Sequence, residues 1–218
     1  MRTYGQRYCP VARASELFAE RWTPIIVRNL LLGCGTFGEL LEGAPGLSRS
    51  VLTQRLRQLE RHGVVTREGR RYALTEAGAE LSAVIDALGT WGARWLEAAP
   101  KELDPGIVLW AVAKCMDRSA LPEEQVVVRF DLRGRRERFW LLVRQPEPEL
   151  CRTHPGFDED LVVTTDAAGL GSWHMGRVSL RQAVADGLLA FAGPPRLVRA
   201  FRAWGGQTPF ADIAPRHA

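Results

Sequence analysis

Several features that would assign this chain to a common class of protein are missing from its sequence. No apolar run approaches the ~20 residues of a membrane-spanning helix, and the first ten residues lack the apolar core of a signal peptide. The four cysteines, Cys9, Cys34, Cys115 and Cys151, are far apart and form no C-x-x-C pair. We therefore expect a cytoplasmic protein with reduced thiols, no metal site and no disulfide framework.

Motifs of catalysis and cofactor binding are missing as well. The chain has no G-x-S-x-G nucleophile motif, and Gly169-Leu170-Gly171 lacks the third glycine of a dinucleotide-binding turn. The histidines are scattered along the chain. We therefore expect neither an enzyme nor a bound cofactor.

The positive charge of the chain is concentrated in one short window. The 218 residues are 46% hydrophobic and 25% charged, which is typical of one large or two ordinary globular domains, and the net charge is +4. Residues 44–75 hold seven arginines and two glutamates, a net charge of +5, so the rest of the chain is close to neutral. A basic patch this local is typical of a surface that binds phosphates.

Residues 47–63, LSRSVLTQRLRQLERHG, predict one helix with two different faces. At helical spacing Leu52, Leu56 and Leu59 form a narrow apolar stripe, and polar and basic side chains occupy the opposite side. Ser48 is a natural N-cap and Gly63 a natural end. The apolar stripe must be buried, so the other side faces a polar partner or solvent.

The segments around this helix predict a helix-turn-helix followed by a wing. Cys9 and Pro10 predict the start of a first helix, Thr23 with Pro24 the cap and start of a second, and residues 37–41 a short third. Residues 43–46 form a turn before the basic helix, an arrangement used by helix-turn-helix proteins. Two β-prone runs at 64–67 and 71–74 predict a hairpin with a basic tip.

A long helix is predicted from Thr75 to residue 98. Its apolar face, which includes Leu88, Trp91 and Trp95, favours a dimer interface. The alternative is that this face packs against the protein's own second domain.

The polar side of the basic helix predicts contacts with DNA. Gln54 can pair with adenine and Arg57 with guanine, whereas flanking residues suit phosphates. The alternative is a solvated helix face whose arginines serve solubility. We predict these DNA-binding residues: Ser48, Arg49, Ser50, Thr53, Gln54, Arg57, Arg61, Arg70 and Arg71.

Seven short segments resemble the HxlR family of bacterial winged helix-turn-helix regulators. They are YCPV at 8–11, RWT at 21–23, LLLG at 30–33, FGEL at 37–40, GLS at 46–48, VLTQRL at 51–56 and YALTEAG at 72–78. The resemblance implies a homodimeric transcription factor that places two recognition helices in successive major grooves of operator DNA, and it favours repression. It also implies a possible redox or electrophile sensor at Cys9, since some members use a cysteine in this position.

Cys9 supports that role by its place at the start of a helix. The free N–H groups and the dipole of a helix N-terminus stabilise a thiolate and so raise its reactivity. The alternative is that Cys9 is only a small capping residue packed beneath the dimer helices.

Residues 100–218 predict a second, α+β domain after a DNA-binding and dimerisation domain at 1–99. Residues 126–132 and 138–143 alternate as two strands with one apolar face, a further strand is expected at 161–165, and helices follow around 180–189 and 196–204. Strands followed by helices favour one sheet covered by helices on one side.

This second half resembles the sterol-carrier-protein-like domain, which implies an apolar cavity. Four aromatic residues could line a ligand site there: Trp110, Phe139, Trp140 and Trp173. They are equally what an ordinary core would contain. We therefore expect operator binding that a small apolar ligand modulates. The alternatives are a thiol sensor acting through Cys9, or a carrier of lipids or small molecules that uses its N-terminal half only for dimerisation.

Overall fold

The computed structural model describes residues 8–96 and 103–216. The chain divides into two compact units, residues 1–89 and 90–218. The division falls inside helix Ser82–Trp95, whereas the boundary predicted between residues 99 and 100 lies outside the described residues. No helix within the described ranges has both the length and the apolar character needed to cross a bilayer.

The first unit consists of helices and one hairpin. Its elements are α1 (Pro10–Phe18), α2 (Thr23–Leu31), α3 (Phe37–Glu42), α4 (Arg49–Arg61), β1 (Val65–Glu68), β2 (Arg71–Leu74), α5 (Glu76–Ala79) and the start of α6 (Ser82–Trp95). Ile26 of α2, Leu40 of α3 and Leu52 and Leu56 of α4 are buried, so the unit's core lies among these three helices.

The starts of α1 and α3 follow their local sequence, whereas the start of α2 differs from the prediction. Cys9 is the N-cap of α1 and Pro10 its first residue, as predicted. The prediction that Thr23 caps α2 is wrong, because Thr23 is already helical and Trp22 is the N-cap, with a left-handed φ of 78°. At α3, Thr36 and Glu39 form a capping box in which each side chain accepts a backbone N–H of the other residue.

The predicted hairpin forms and is extended by a third segment. β1 and β2 pair in antiparallel register, from Val65 opposite Leu74 to Glu68 opposite Arg71. Thr36 bridges to Arg71, and the backbone N–H of Tyr72 donates to the Gly35 carbonyl at 2.6 Å. The hairpin is thereby anchored to the chain just before α3.

The single long helix predicted from Thr75 is wrong. Thr75 caps only the one-turn helix α5, and a turn at residues 80–81 separates α5 from α6. Inside α5, Gly78 lies against the Val64 carbonyl and the Leu74 side chain, which ties this turn to the base of the hairpin. The helix resumes at Ser82 and ends at Trp95, and the predicted end at residue 98 lies outside the described residues.

The second unit combines a five-stranded sheet with helices. After the end of α6 its elements are α7 (Pro105–Lys114), a 3-10 turn (Arg118–Ala120), β3 (Val126–Leu132), β4 (Arg138–Val143), β5 (Glu149–Cys151), β6 (Leu161–Thr165), α8 (Ala167–His174), α9 (Leu180–Ala185), β7 (Ala190–Ala192) and α10 (Pro195–Trp204). The strand order is β5-β4-β3-β6-β7, and only the β3–β6 pair is parallel. The short strands β5 and β7 were not predicted.

One face of this sheet carries the main core of the unit. Phe130 and Leu141, on adjacent strands, share a buried cluster with Leu109 of α7, Leu170 of α8 and Phe201 of α10. The opposite face holds a smaller apolar cluster of Val127, Trp140 and Leu142. The predicted α+β class, with helices packed on the apolar face of the hairpin, is confirmed.

The chain after α10 docks on the end of α8. The Nδ1–H of buried His174 donates to the Gly206 carbonyl at 2.6 Å, and the backbone N–H of Thr208 donates to the His174 carbonyl at 2.9 Å. Burial lowers the pKa of His174, although its bond to Gly206 opposes that shift. The neutral ring therefore holds this segment in place.

Candidate nucleic-acid interface

The local structure of α4 fixes which of its sides faces outward. The Ser48 hydroxyl accepts from the backbone N–H of Val51 at 3.3 Å, and Gly63, after the last turn, has a left-handed φ of 68°. Leu52 and Leu59 are buried, as the apolar stripe requires. The polar side of α4 is therefore turned away from the core.

Six residues of that polar side line one open depression of the surface: Ser50, Thr53, Gln54, Arg57, Glu60 and Arg61. The Thr53 hydroxyl donates to the Arg49 carbonyl at 2.9 Å, and Arg61 Nε lies 3.4 Å from the Arg57 carbonyl. Neither Gln54 nor the guanidinium of Arg57 forms a hydrogen bond or ion pair with any residue that the structure describes. Their polar groups are available to an external partner.

Arg49 sits where α3 and α4 approach each other. Its guanidinium lies over the ring of Phe37, 5.1 Å from the ring centroid, in a cation–π contact. Arg49 therefore places a positive charge at the N-terminus of α4, beside the exposed N-cap Ser48. The free backbone N–H groups at this end of the helix also favour an anion.

The hairpin gives different surroundings to Arg70 and Arg71, which were both predicted to bind DNA. Arg70 is exposed in the turn beside Gly69. Arg71 instead lies against the chain before α3, since a Cβ on Gly35 would come within 2.7 Å of its Nη2. The neighbouring Arg67 stacks on Tyr72, with its guanidinium 5.3 Å from the ring centroid. Of these three arginines, Arg70 is the one at the tip.

Arg55, counted with the basic window, is part of the scaffold. It forms an ion pair with Glu20 at 2.6 Å and also donates to Gln58 Oε1 at 3.0 Å and to the Arg21 carbonyl at 3.3 Å. Its side chain is only 14% exposed. Arg55 therefore fixes α4 to the segment between α1 and α2 and adds little to the outer charge.

Two residues that the sequence analysis missed hold the helix-turn-helix together. Arg28 donates to the Gly43 carbonyl at 2.8 Å and to Asn29 Oδ1 at 2.7 Å, and buried Asn29 donates to the Leu40 carbonyl at 3.3 Å. They join α2 to the end of α3 and the turn before α4. The signal was a polar pair within the otherwise apolar run of α2.

Cys9 is half-buried at the start of α1. Its side chain makes no capping hydrogen bond, and its carbonyl accepts from the backbone N–H of Arg13 at 3.1 Å. The thiol is free of any disulfide, and within the described residues no group of three metal-ligating side chains could hold an ion.

The four aromatic residues predicted to line one ligand cavity do not share one site. Phe139 and Trp173 belong to the main core, where the Trp173 ring lies 5.5 Å from that of Phe201. Trp140 is on the other face of the sheet, because successive strand residues point to opposite sides. Trp110 is buried on α7. A single cavity lined by all four is wrong.

Comparison with known proteins points to one family for the first half of the chain. Residues 17–100 match the family model described as HxlR-like helix-turn-helix. An uncharacterized HTH-type transcriptional regulator of Synechocystis sp., sll1512, is 36% identical over 96 residues, which cover 41% of this chain and 71% of that protein. The HTH-type transcriptional regulator YodB of Bacillus subtilis is 32% identical over 101 residues, covering 43% of this chain and 90% of YodB.

Solved structures give two further similarities. The quinone-bound form of YodB from B. subtilis is similar with a TM-score of 0.36 and 33% identity, covering 38% of this chain and 96% of that one. A ubiquinone synthesis protein described as UbiJ-SCP2 is similar with a TM-score of 0.33 and 20% identity, covering 58% of this chain and 94% of that one.

Proposed function

This chain belongs to the HxlR-like helix-turn-helix family of DNA-binding transcriptional regulators, and we propose that it is a homodimeric repressor whose α4 reads operator DNA. The observation that carries the proposal is the outward side of α4, where Gln54 and Arg57 have no partner among the described residues. Buried leucines hold the opposite side of the helix. A rigid helix with free hydrogen-bonding groups on one side suits the major groove.

The predicted contacts divide into base reading and phosphate binding. The amide of Gln54 has the donor and the acceptor that recognise adenine, and Arg57 has the donors that recognise guanine, with Ser50 one turn before Gln54. Phosphates would be held by the N-terminal and flanking groups of α4, Ser48, Arg49, Thr53 and Arg61, and by Arg70 and Arg71 of the wing. Because Arg71 lies against Gly35, it would reach a phosphate only beside the body of the domain.

Dimerisation is supported by the exposed apolar side of α6. Val84, Leu88, Trp91 and Trp95 recur at helical spacing, and each is at least 40% exposed. Such a row of large apolar side chains is typical of a helix that pairs with another chain. A dimer presents two copies of α4 to two half-sites, and its occupation of a promoter would block transcription.

We further propose that a small apolar ligand in the second unit controls operator binding through α6. Arg177 donates to the Ala93 carbonyl near the end of α6 and to the Ile213 carbonyl, both at 3.1 Å. The backbone N–H of Arg216 donates to the Arg94 carbonyl at 2.8 Å. These bonds tie the end of α6 to the C-terminal segment, so a shift there would move α6. A ligand can change operator affinity only if it binds with different affinities to two geometries of the dimer, one that fits the operator and one that does not.

Replacement of Arg57 by alanine tests the regulator. If Arg57 reads a guanine, its loss costs ~1–3 kcal/mol of binding free energy. Affinity for DNA upstream of the protein's own gene should then fall by about 5-fold to 150-fold, and the ratio of this affinity to that for a scrambled duplex should also fall. Arg136→Ala, which removes an equal charge from the turn between β3 and β4, is the matched control and should bind as the wild type does. Fluorescence anisotropy at physiological salt measures the affinity of each variant for the operator and for the scrambled duplex. Equal affinities for Arg57→Ala and the wild type would instead favour the carrier of lipids or small molecules.

Thiol sensing through Cys9 is a second proposed role. It is supported by the free thiol at the N-cap of α1 and by the relative YodB, which has been solved with bound quinone. A thiolate adds to a quinone ring by forming a carbon–sulfur bond, and the ring is reduced to the hydroquinone. Such an adduct beside α1 would alter the packing of α1.

Cys9→Ser separates this role from simple capping. Treatment with benzoquinone should change operator affinity of the wild type and leave Cys9→Ser unchanged, whereas untreated proteins should bind alike. Mass spectrometry of the treated wild type should find one added quinone at Cys9. An identical benzoquinone response in Cys9→Ser would remove Cys9 as the sensor.

A further inference from the structure

Helix α10 has one buried side and one exposed side of opposite character. Leu197, Phe201 and Trp204 are buried in the core of the second unit, which fixes the orientation of the helix. Its exposed side carries three arginines, which we call the arginine face: Arg196, Arg199 and Arg202. The helix contains no acidic residue.

Several arginines of the second unit have carboxylate partners, whereas the arginine face has none among the described residues. Arg129 forms ion pairs with Asp131 at 3.1 Å and Glu159 at 3.3 Å, and Arg138 pairs with Asp131 at 3.2 Å. Arg133 lies 3.6 Å from Asp166. By contrast, no side chain of the arginine face forms an ion pair or hydrogen bond with any residue in the ranges 8–96 and 103–216.

Asp117, an acidic residue that contacts the end of α10, has hydrogen-bond partners of its own. The backbone N–H of Asp117 donates to the Trp204 carbonyl at 2.8 Å, at the end of the helix. The Asp117 carboxylate accepts from the backbone N–H of Ser119 at 2.9 Å and from its hydroxyl at 2.7 Å, which lowers the pKa of Asp117. Within the residues that the structure describes, no carboxylate forms an ion pair with the three arginines of this face.

The spacing of the arginine face fits a polyanion with regularly repeated charges. At about 1.5 Å of rise per helical residue, its first and last members are about 9 Å apart along the axis. A DNA strand carries a charge about every 3.4 Å of its axis, so this length corresponds to two or three phosphates of one strand. A lipid surface fits less well, because the apolar side of α10 is buried in the core and cannot insert into a membrane.

We propose that the arginine face of α10 binds the phosphate backbone of the duplex to which α4 binds. This inference rests on the proposed DNA-binding function, since binding of α4 would raise the local concentration of phosphates around the second unit. The contact is independent of base sequence, because the phosphates of the backbone are the same at every base pair. The second unit thereby adds affinity and salt dependence to the complex without adding specificity.

The test compares two variants from which the same charge has been removed. One replaces the arginine face with glutamine (R196Q/R199Q/R202Q), and the control changes three exposed arginines of other segments (R135Q/R136Q/R144Q). Affinity for a duplex that extends well beyond the operator is measured over a series of salt concentrations. Each lost phosphate contact should reduce the slope of log affinity against log salt by about 0.9, and therefore by up to about 2.7 per protomer, in the first variant only.

Further readouts distinguish the contact from a structural effect and from failure of the proposed function. Circular dichroism should show both variants folded, and R196K/R199K/R202K should keep the wild-type slope because it keeps the charge. The ratio of operator to scrambled binding should be unchanged in R196Q/R199Q/R202Q, whereas Arg57→Ala lowers it. Equal slopes for R196Q/R199Q/R202Q and the control would overturn the inference. So would an R196Q/R199Q/R202Q protein that loses binding to anionic vesicles but keeps the wild-type slope on DNA. A wild type that fails to prefer its operator would instead contradict the proposed function.

Discussion

Replacement of Leu88 and Trp91 by glutamate is expected to convert the dimer into monomers and to abolish tight operator binding. The two side chains are 48% and 55% exposed in the single chain, so the monomer fold should tolerate the change. In a dimer interface the carboxylates would be buried without partners, which strongly opposes association. Because a monomer holds only one half-site, operator affinity should fall by about 100-fold to 10,000-fold.

Sedimentation and anisotropy measure these two effects. Ala83→Glu is the control, because Ala83 is exposed on α6 outside the row formed by Val84, Leu88, Trp91 and Trp95. It should remain dimeric and bind DNA normally. A double variant that stays dimeric would show that another surface joins the subunits, and the exposed side of α6 would then need a different partner.

Replacement of Gly78 by alanine is expected to destabilise the first unit. A Cβ at this position would overlap the Val64 carbonyl oxygen and lie 3.1 Å from Leu74 Cδ2. The oxygen cannot move easily, because it accepts from the backbone N–H of Thr75 at 3.1 Å. Alanine favours a helix over glycine, but overpacking of this kind costs about 1–3 kcal/mol and should dominate.

Gly38→Ala provides the matched control within the same unit. Gly38 also lies in a helix, α3, but a Cβ there would meet nothing within 4 Å. This substitution should be neutral or should stabilise by about 0.5–1 kcal/mol. Thermal unfolding followed by circular dichroism compares the two, with about 4–8 °C in Tm expected for each kcal/mol in a unit of this size. A Gly78→Ala protein as stable as the wild type would mean that the base of the hairpin is less rigid than its hydrogen bonds indicate.

Features set by neighbours in sequence were predicted well. The period of the leucines and the cap at Ser48 gave the course of α4, and alternation of side chains gave β3 and β4. The strands β5 and β7 escaped prediction because three residues are too few for alternation to be visible. The error over Phe139 and Trp140 came from grouping residues by type, although their adjacency in one strand already placed them on opposite faces.

Features set by distant residues were not predictable in this way. Arg55 belongs to the basic helix in sequence, but its ion pair with Glu20, from the segment between α1 and α2, removes it from the outer surface. Arg71 follows Arg70 in the chain, yet pairing with the segment before α3 turns it against Gly35. The break between α5 and α6 likewise accompanies the contact of Gly78 with Val64, which the helical period of the following residues does not reveal.

Local chemistry along the chain was enough to establish the helix-turn-helix, the hairpin, the outward side of α4 and the α+β character of the second half. Periodicity, caps and turns act over a few residues and can therefore be read in order. Tertiary structure decided which of the outward groups are free. Arg57 and the arginine face of α10 have no described partner, whereas Arg55, Arg129 and Arg138 are held by carboxylates from other segments or strands, namely Glu20, Glu159 and Asp131. Whether a charge is neutralised depends on which distant groups the fold brings within a few ångströms, and this decides where the protein can meet an anion.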